Sequence, residues 1–511
     1  VLGTTSITAG SVVTGSGGTI AMGANALSIT TDAISLGANI SGTSTLTIAP
    51  RTASTTIGLA GAAGDLNLTS AELNYLQNGF SSITIGSASA TGKITIGAYT
   101  FKDSLTLING GATSNGGMQF TGAVSVLGGT GGTNNTLTLH TRGTVTQDSG
   151  AGITAYGLEL LGTGGVYTLT DSTNAITNLA GNTGSVSFTE NSGYTVTTVN
   201  TVSMTTTGNL VLNGSSGITL AGNITSGVGT QNYTGPITLS SQAISLSSTN
   251  AGITFNGLTS TIDGAQNLTI NSGSGAITLG STIGATTPIA TLSLTSTSGI
   301  NIGGNITNSS TQTFTGPVVL TADAVLSTTG SAATGNQISF TSTIDGQTAN
   351  TQSLTLNSGS SGTIGVTGAV GGTTNLQNLT ITNSGGSTFS AAVTTGTQVS
   401  LFNTSGTILF SGALTTGTLT VGSQAFNLSL PASSGTITNS VTFANTGTLR
   451  LGVSGGTQTY SGGFVATAPS SVTLYGTFTA SGAIEIGDSG TGITLGSATV
   501  ISTAGGNGNL T

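Results

Sequence analysis

The 511-residue chain has no cysteine and no tryptophan, a single histidine, six prolines and charged side chains at only 4% of its positions. Each shortage removes a class of explanation. Without cysteine there are neither disulfides nor thiolate metal sites. The five basic residues, Arg51, Lys93, Lys102, Arg142 and Arg450, are isolated in a chain of formal charge −8. Nucleic acid therefore finds no cluster of cations, and an anionic membrane surface no polybasic patch. No unbroken apolar stretch approaches the roughly 18 residues of a transmembrane helix. An outer-membrane barrel would share strand alternation but needs aromatic girdles at two interfaces, and aromatics are scarce here. The chain opens on Val1 rather than methionine, as expected of a processed or trimmed product whose signal peptide has been removed.

Glycine, with 84 residues, leads a composition otherwise rich in serine, threonine and asparagine. Such a mixture often marks disorder, because too little apolar surface is available to offset chain entropy. Two features oppose that reading. Mean hydropathy is positive, at +0.29. The aliphatic residues are also ordered: segments 104–107, 136–139, 267–270, 291–294, 378–381 and 418–421 alternate Leu, Ile or Val with Thr, Ser or Asn. Period two sends the aliphatic side chains to one face of a strand and the hydroxyls to the other. Gly-Ser, Asn-Gly and Gly-Gly clusters between the strands supply tight corners.

The text also repeats. Gly222-Asn223-Ile224-Thr225, Tyr233-Thr234-Gly235-Pro236, Ser260-Thr261-Ile262-Asp263-Gly264 and Leu268-Thr269-Ile270-Asn271-Ser272-Gly273 are followed about 82 positions later by Gly304-Asn305-Ile306-Thr307, Phe314-Thr315-Gly316-Pro317, Ser342-Thr343-Ile344-Asp345-Gly346 and Leu354-Thr355-Leu356-Asn357-Ser358-Gly359. These define approximate super-repeats 222–303 and 304–385. Short strands every ten residues or so fit stacked sandwiches or a solenoid. The lack of tryptophan anchors, the rarity of proline and charged linkers, and a repeat divisible into four coils of about 20 residues favour the solenoid. The expected fold is all-β: an elongated parallel β-helix running continuously through 1–511, about 25 coils stacked at roughly 4.8 Å each. Ser70-Ala71-Glu72-Leu73-Asn74-Tyr75-Leu76-Gln77-Asn78-Gly79 breaks the pattern. Its helix formers, a cap at Thr69 or Ser70 and a stop at Gly79 predict one short helical insertion near 70–78 that plugs or decorates the stack between Gly58 and Gly97.

A module over 46–110 carries a resemblance. Leu46-Thr47-Ile48-Ala49-Pro50, Thr56-Ile57-Gly58-Leu59-Ala60-Gly61, Leu66-Asn67-Leu68-Thr69-Ser70-Ala71-Glu72-Leu73 and Gly79-Phe80-Ser81-Ser82-Ile83-Thr84-Ile85-Gly86 resemble a module of filamentous-haemagglutinin-like bacterial surface proteins. The text at 161–170 and 180–188 is similar to their repeats, while the amino-terminal secretion domain usual in that family is not evident. The resemblance implies a secreted right-handed β-helix at the bacterial cell surface, exported through an outer-membrane partner and used in adhesion or fibre building.

Carbohydrate enzymes also use this scaffold and need two positioned carboxylates. The best local grouping is His140, Arg142 and Asp148, with Glu159 one coil later; a polar ladder at a corner is the simpler reading. Glu485 and Asp488 read as solvated turn acids, and Asp263 and Asp345 as Asp-Gly turns. Calcium would need a dense acidic loop that is missing. Gly128-Gly129-Thr130-Gly131-Gly132 lacks the lysine of a phosphate loop and reads as a turn. Tyr233 and Phe314 read as members of an internal aromatic ladder, and Asn-x-Thr triplets such as Asn67-Leu68-Thr69 as composition or as glycan acceptors. The expectation is a structural extracellular protein, an adhesin or stalk segment or a fibre-forming subunit, with no catalytic, cofactor or metal residues. Its partners are further copies of itself, joined end to end or side by side, and cell surfaces or glycans. The alternative is a polysaccharide-binding or polysaccharide-cleaving β-helix enzyme.

Overall fold

The computed structural model describes residues 3–111, 116–127, 134–240, 243–496, 498–503 and 508–511. The chain is an all-β parallel β-solenoid of about 22 coils, with about 22 residues per turn and almost no helix. Coils are longer and fewer than the repeat suggested because corners carry insertions. Leu46 pairs with Ile83 across the helical segment, and Gln312 with Ile338 across a long loop. The turn expected at 128–132 lies outside the described residues. Two compact units, Val1–Ala251 and Gly252–Thr511, make up the fold.

In the first unit one inward column runs through Leu27, Leu46, Ile83, Leu105, Leu137, Leu158 and Leu179, each paired in parallel register with the next. All are buried. Their strand neighbours Thr47, Thr84 and Thr106 face outward, so the period-two text becomes a dry interior and a hydroxyl-covered exterior. Burying each such side chain contributes about 1.5–3 kcal/mol. The second unit repeats the device through Leu268, Leu292, Gln312, Ile338, Ile364 and Ser387, and on through Ile408, Leu428, Leu449 and Val472. Two polar residues, Gln312 and Ser387, thus stand inside an otherwise aliphatic column.

Carboxylates and carboxamides clamp the corners. Asp263 Oδ1 accepts the backbone N–H groups of Thr286 and Thr287 at 2.8 and 3.0 Å, and Asp345 Oδ1 those of Thr373 and Thr374 at the same distances. The expected Asp-Gly turns are thus strand residues instead: Asp263 closes the strand Ile262–Asp263 and Asp345 lies within Ile344–Gly346, and each acid ties its coil to the following one. Asn223, Asn305 and Asp323 each accept one such N–H. In Thr-Gly-Pro, Gly235 and Gly316 have φ of 110° and 123°, and a Cβ on either would collide with the carbonyl of Gly214 or Ser296 below. Phe314 stacks on Phe340 with centroids 4.6 Å apart, as expected of an internal ladder, and Tyr233 is equally buried. Asp488 is an exposed turn acid that accepts from Gly490 N, whereas Glu485 lies mid-strand in Ile484–Ile486, on an exposed face rather than in a turn.

The insertion forms a helix over Ser70–Asn74, shorter than 70–78. Thr69 is the cap: its Oγ1 accepts from Glu72 N, and the Glu72 carboxylate accepts from Thr69 N at 2.9 Å. The helix stops early because the chain rejoins the ladder. Ile40 N donates to Tyr75 O at 2.8 Å and Gln77 N to Ile40 O at 2.9 Å. Glu72 Oε1 also accepts from Leu36 N, and Tyr99 Oη donates to Asn74 Oδ1. Residues 75–77, which follow the helix, take a strand's place beside Ile40.

Candidate functional site

Three strands of the first unit, Thr136–Thr141, Ile153–Leu169 and Ala175–Glu190, lie side by side. Their inward residues include Leu137, Leu139, Leu158, Leu160 and Leu179. The outward face therefore consists of three rows: Thr136, Gly157 and Asn178; Thr138, Glu159 and Ala180; His140, Leu161 and Asn182.

The anticipated grouping is only partly assembled. His140 and Arg142 line one depression together with Asn182. Burial lowers the His140 pKa from its usual value, the Arg142 charge lowers it further, and the charge of Glu159 opposes both. Asp148 is elsewhere: the chain turns a corner after Thr141, and Asp148 joins the neighbouring face. There its Oδ1 accepts from Gln119 Nε2 at 2.8 Å, while Gln119 Oε1 accepts from Lys93 Nζ at 2.6 Å. Glu159 stays close to His140 but is spent, accepting from Thr138 Oγ1 at 2.7 Å and Asn200 Nδ2 at 3.1 Å. It is 4% exposed although it sits on the outer face. No pair of free carboxylates converges here, and among the described residues no three His, Cys, Asp or Glu side chains gather as a metal site would require.

What covers Glu159 is a lobe at 197–203 that departs from the ladder. Val199 and Val202 exchange backbone hydrogen bonds of 3.0 and 2.8 Å in an antiparallel bridge, the only antiparallel pairing among the described residues outside the parallel ladders. Asn200 and Thr201 take φ of 46° and 73°. That conformation is costly for a β-branched residue, and such strain is characteristic of functional segments. Val199 is seated over Gly157, where a Cβ would come 3.0 Å from Val199 Cγ1. Beside the lobe runs a cleft of about 200 Å³ lined by Asn134, Thr136, Tyr156, Asn178 and Thr198. Tyr156, 38% exposed, is the one aromatic among the exposed large apolar side chains of the described residues.

A second buried acid lies in the interior. Glu190 accepts from Ser192 Oγ at 2.6 Å and Ile176 N at 2.9 Å, and burial raises its pKa despite both bonds. The neighbouring Tyr194 hydroxyl has no hydrogen-bond partner.

Sequence reasoning singled out His140, Arg142 and Glu159 and missed Tyr156, Val199 and Asn200. The lobe text, Thr197-Thr198-Val199-Asn200-Thr201-Val202, alternates like the strands around it, and only Asn200, a residue tolerant of left-handed φ, hints otherwise. No protein family, no curated protein and no solved structure matches the chain.

Proposed function

We propose that this chain is a structural segment of an extracellular bacterial surface protein, of the filamentous-haemagglutinin-like kind, serving as an adhesin stalk or fibre subunit. The observation that carries the reading is the parallel, coil-on-coil register within each unit, with aliphatic columns inside and hydroxyl and amide rows outside. Stability in such a stack is a sum over neighbouring coils, so stiffness and display surface scale with length. The acids support a non-catalytic role, because Asp263, Asp345 and Glu159 are each occupied in holding backbone or side chains in place. The same construction supports self-association through strand edges or flanks and contact with cell surfaces as the partners of such a segment.

Negative-stain microscopy of the purified chain and a cell-attachment assay test the proposal. Fibres support the subunit version, and separate elongated particles that block attachment support the tethered version. Compact spherical particles without attachment overturn both. Release of reducing sugar from a polysaccharide, abolished by His140→Ala, would replace the proposal with the enzymatic reading.

A further inference from the structure

We infer that the cleft beside the 197–203 lobe binds an uncharged glycan chain, with Tyr156 as its platform. Four observations converge on that ligand class. The cleft presents an exposed aromatic ring, whose face accepts the C–H side of a sugar. Asn134, Thr136, Asn178 and Thr198 line it, and their side chains make no hydrogen bonds among the described residues. Carboxamides and hydroxyls both donate and accept, which matches ring hydroxyls rather than a charged group. Among the described residues no charged side chain lines the cleft, and Glu159 beneath it is turned to Asn200 and Thr138. A peptide that recognises sheet edges has nothing to pair with here, because all three strands already have neighbours on this face.

The wall of the cleft is also preset. Asn200 is tethered to a buried carboxylate, Val199 is wedged over Gly157, and Asn200 and Thr201 are held in left-handed backbone before any ligand arrives. Ordering that precedes binding removes an entropic cost from it. Strands along the face are spaced by roughly 4.8 Å, comparable to the rise per residue of an extended β-linked glycan, so successive rows can meet successive sugars. In these terms Glu159 is a positioning residue for the lobe.

The proposal is independent of the scaffold reading, since a stalk can lack this cleft's ligand and a glycan-binding coil need not form fibres. It is tested on the full chain by saturation-transfer NMR and calorimetry with hexasaccharides of β-glucan, α-glucan, mannan, galactan and chitin, and with polygalacturonate and heparin as charged controls. At least one neutral hexasaccharide is expected to bind, with affinity unaffected by salt. Tyr156→Ala should weaken it at least tenfold at unchanged melting temperature, Tyr156→Phe should retain it within threefold, and His140→Ala should leave it unaltered. Glu159→Gln, which keeps the size but changes the bond to Asn200, should lower affinity less than Tyr156→Ala and leave the bound sugar the same. Absence of binding by every neutral oligosaccharide, equal binding by Tyr156→Ala, or binding confined to the charged controls would overturn the proposal. Microscopy and cell attachment report on the scaffold reading separately.

Discussion

Two copies of one repeat solve the same packing problem with one atom's difference. In the first unit Gln231 and Tyr233 share an inward strand face, and the buried Tyr233 hydroxyl donates to Gln231 Oε1 at 2.7 Å. In the second unit Gln312 and Phe314 hold the matching positions; the hydroxyl is gone, and Gln312 Oε1 is buried without a partner. The amide ends are handled alike: Gln231 Nε2 donates to Ser226 Oγ and Ser247 O, and Gln312 Nε2 to Asn308 Oδ1 and Ser327 O. Gln458 and Tyr460 show the complete arrangement again, at 3.1 Å. The carboxamide oxygen is thus satisfied two residues away on its own strand, and a single Tyr-to-Phe difference strands that acceptor.

The comparison breaks most severely if the rings are removed. Tyr233→Ala and Phe314→Ala should each cost about 3–5 kcal/mol in denaturant unfolding, because both leave a cavity among fully buried neighbours. Tyr233→Ala should be the costlier of the two, because it also strands Gln231 Oε1; a smaller loss at Tyr233 than at Phe314 would show that the ring is not the shared element. Glu190 extends the contrast to a buried acid. Burial raises its pKa above the ordinary 4.5, so the stability it permits is complete below that value and is lost as pH rises. Asp32 has the opposite sign. Backbone and hydroxyl donors of Thr52 lead in holding it down to about 2, so its contribution is present above pH 3.8 and is lost as pH falls toward 2. Glu190→Gln should therefore reduce the stability lost as pH rises above 4.5, read as melting temperature by circular dichroism, while leaving the acid limb intact. Tyr233→Phe recreates the stranded acceptor in the first unit and should cost about 1–3 kcal/mol. The reciprocal Phe314→Tyr gives Gln312 Oε1 its donor and should stabilise by about 0.5–1.5 kcal/mol, the smallest effect and the sharpest test; a loss would mean that the stacked Phe340 leaves no room.

The fold was legible because alternation is a local signal that fixes which side chains face inward. Thr136, Leu137, Thr138 and Leu139 already state their orientation, and equal spacing of such segments states the stacking. The helical insertion was legible through Thr69 and Glu72, though its end was not, since the return of Tyr75 and Gln77 to Ile40 depends on a coil more than thirty residues earlier. The candidate site was less readable for the same reason. Placing His140 and Arg142 together follows from alternation, but Asp148 leaves at a corner that spacing does not reveal. Glu159 meets Asn200 across 41 positions, through a lobe whose text imitates a strand.

The short helix between Ile40 and Tyr99 bears on how such proteins can be altered. Two backbone hydrogen bonds at Ile40 and a capping pair at Thr69 and Glu72 suffice to carry the stack across a foreign element. A host that tolerates one guest on those terms offers a splice point: a peptide epitope inserted between Glu72 and Tyr75, with the cap and the return residues retained, would be presented outside an undisturbed frame.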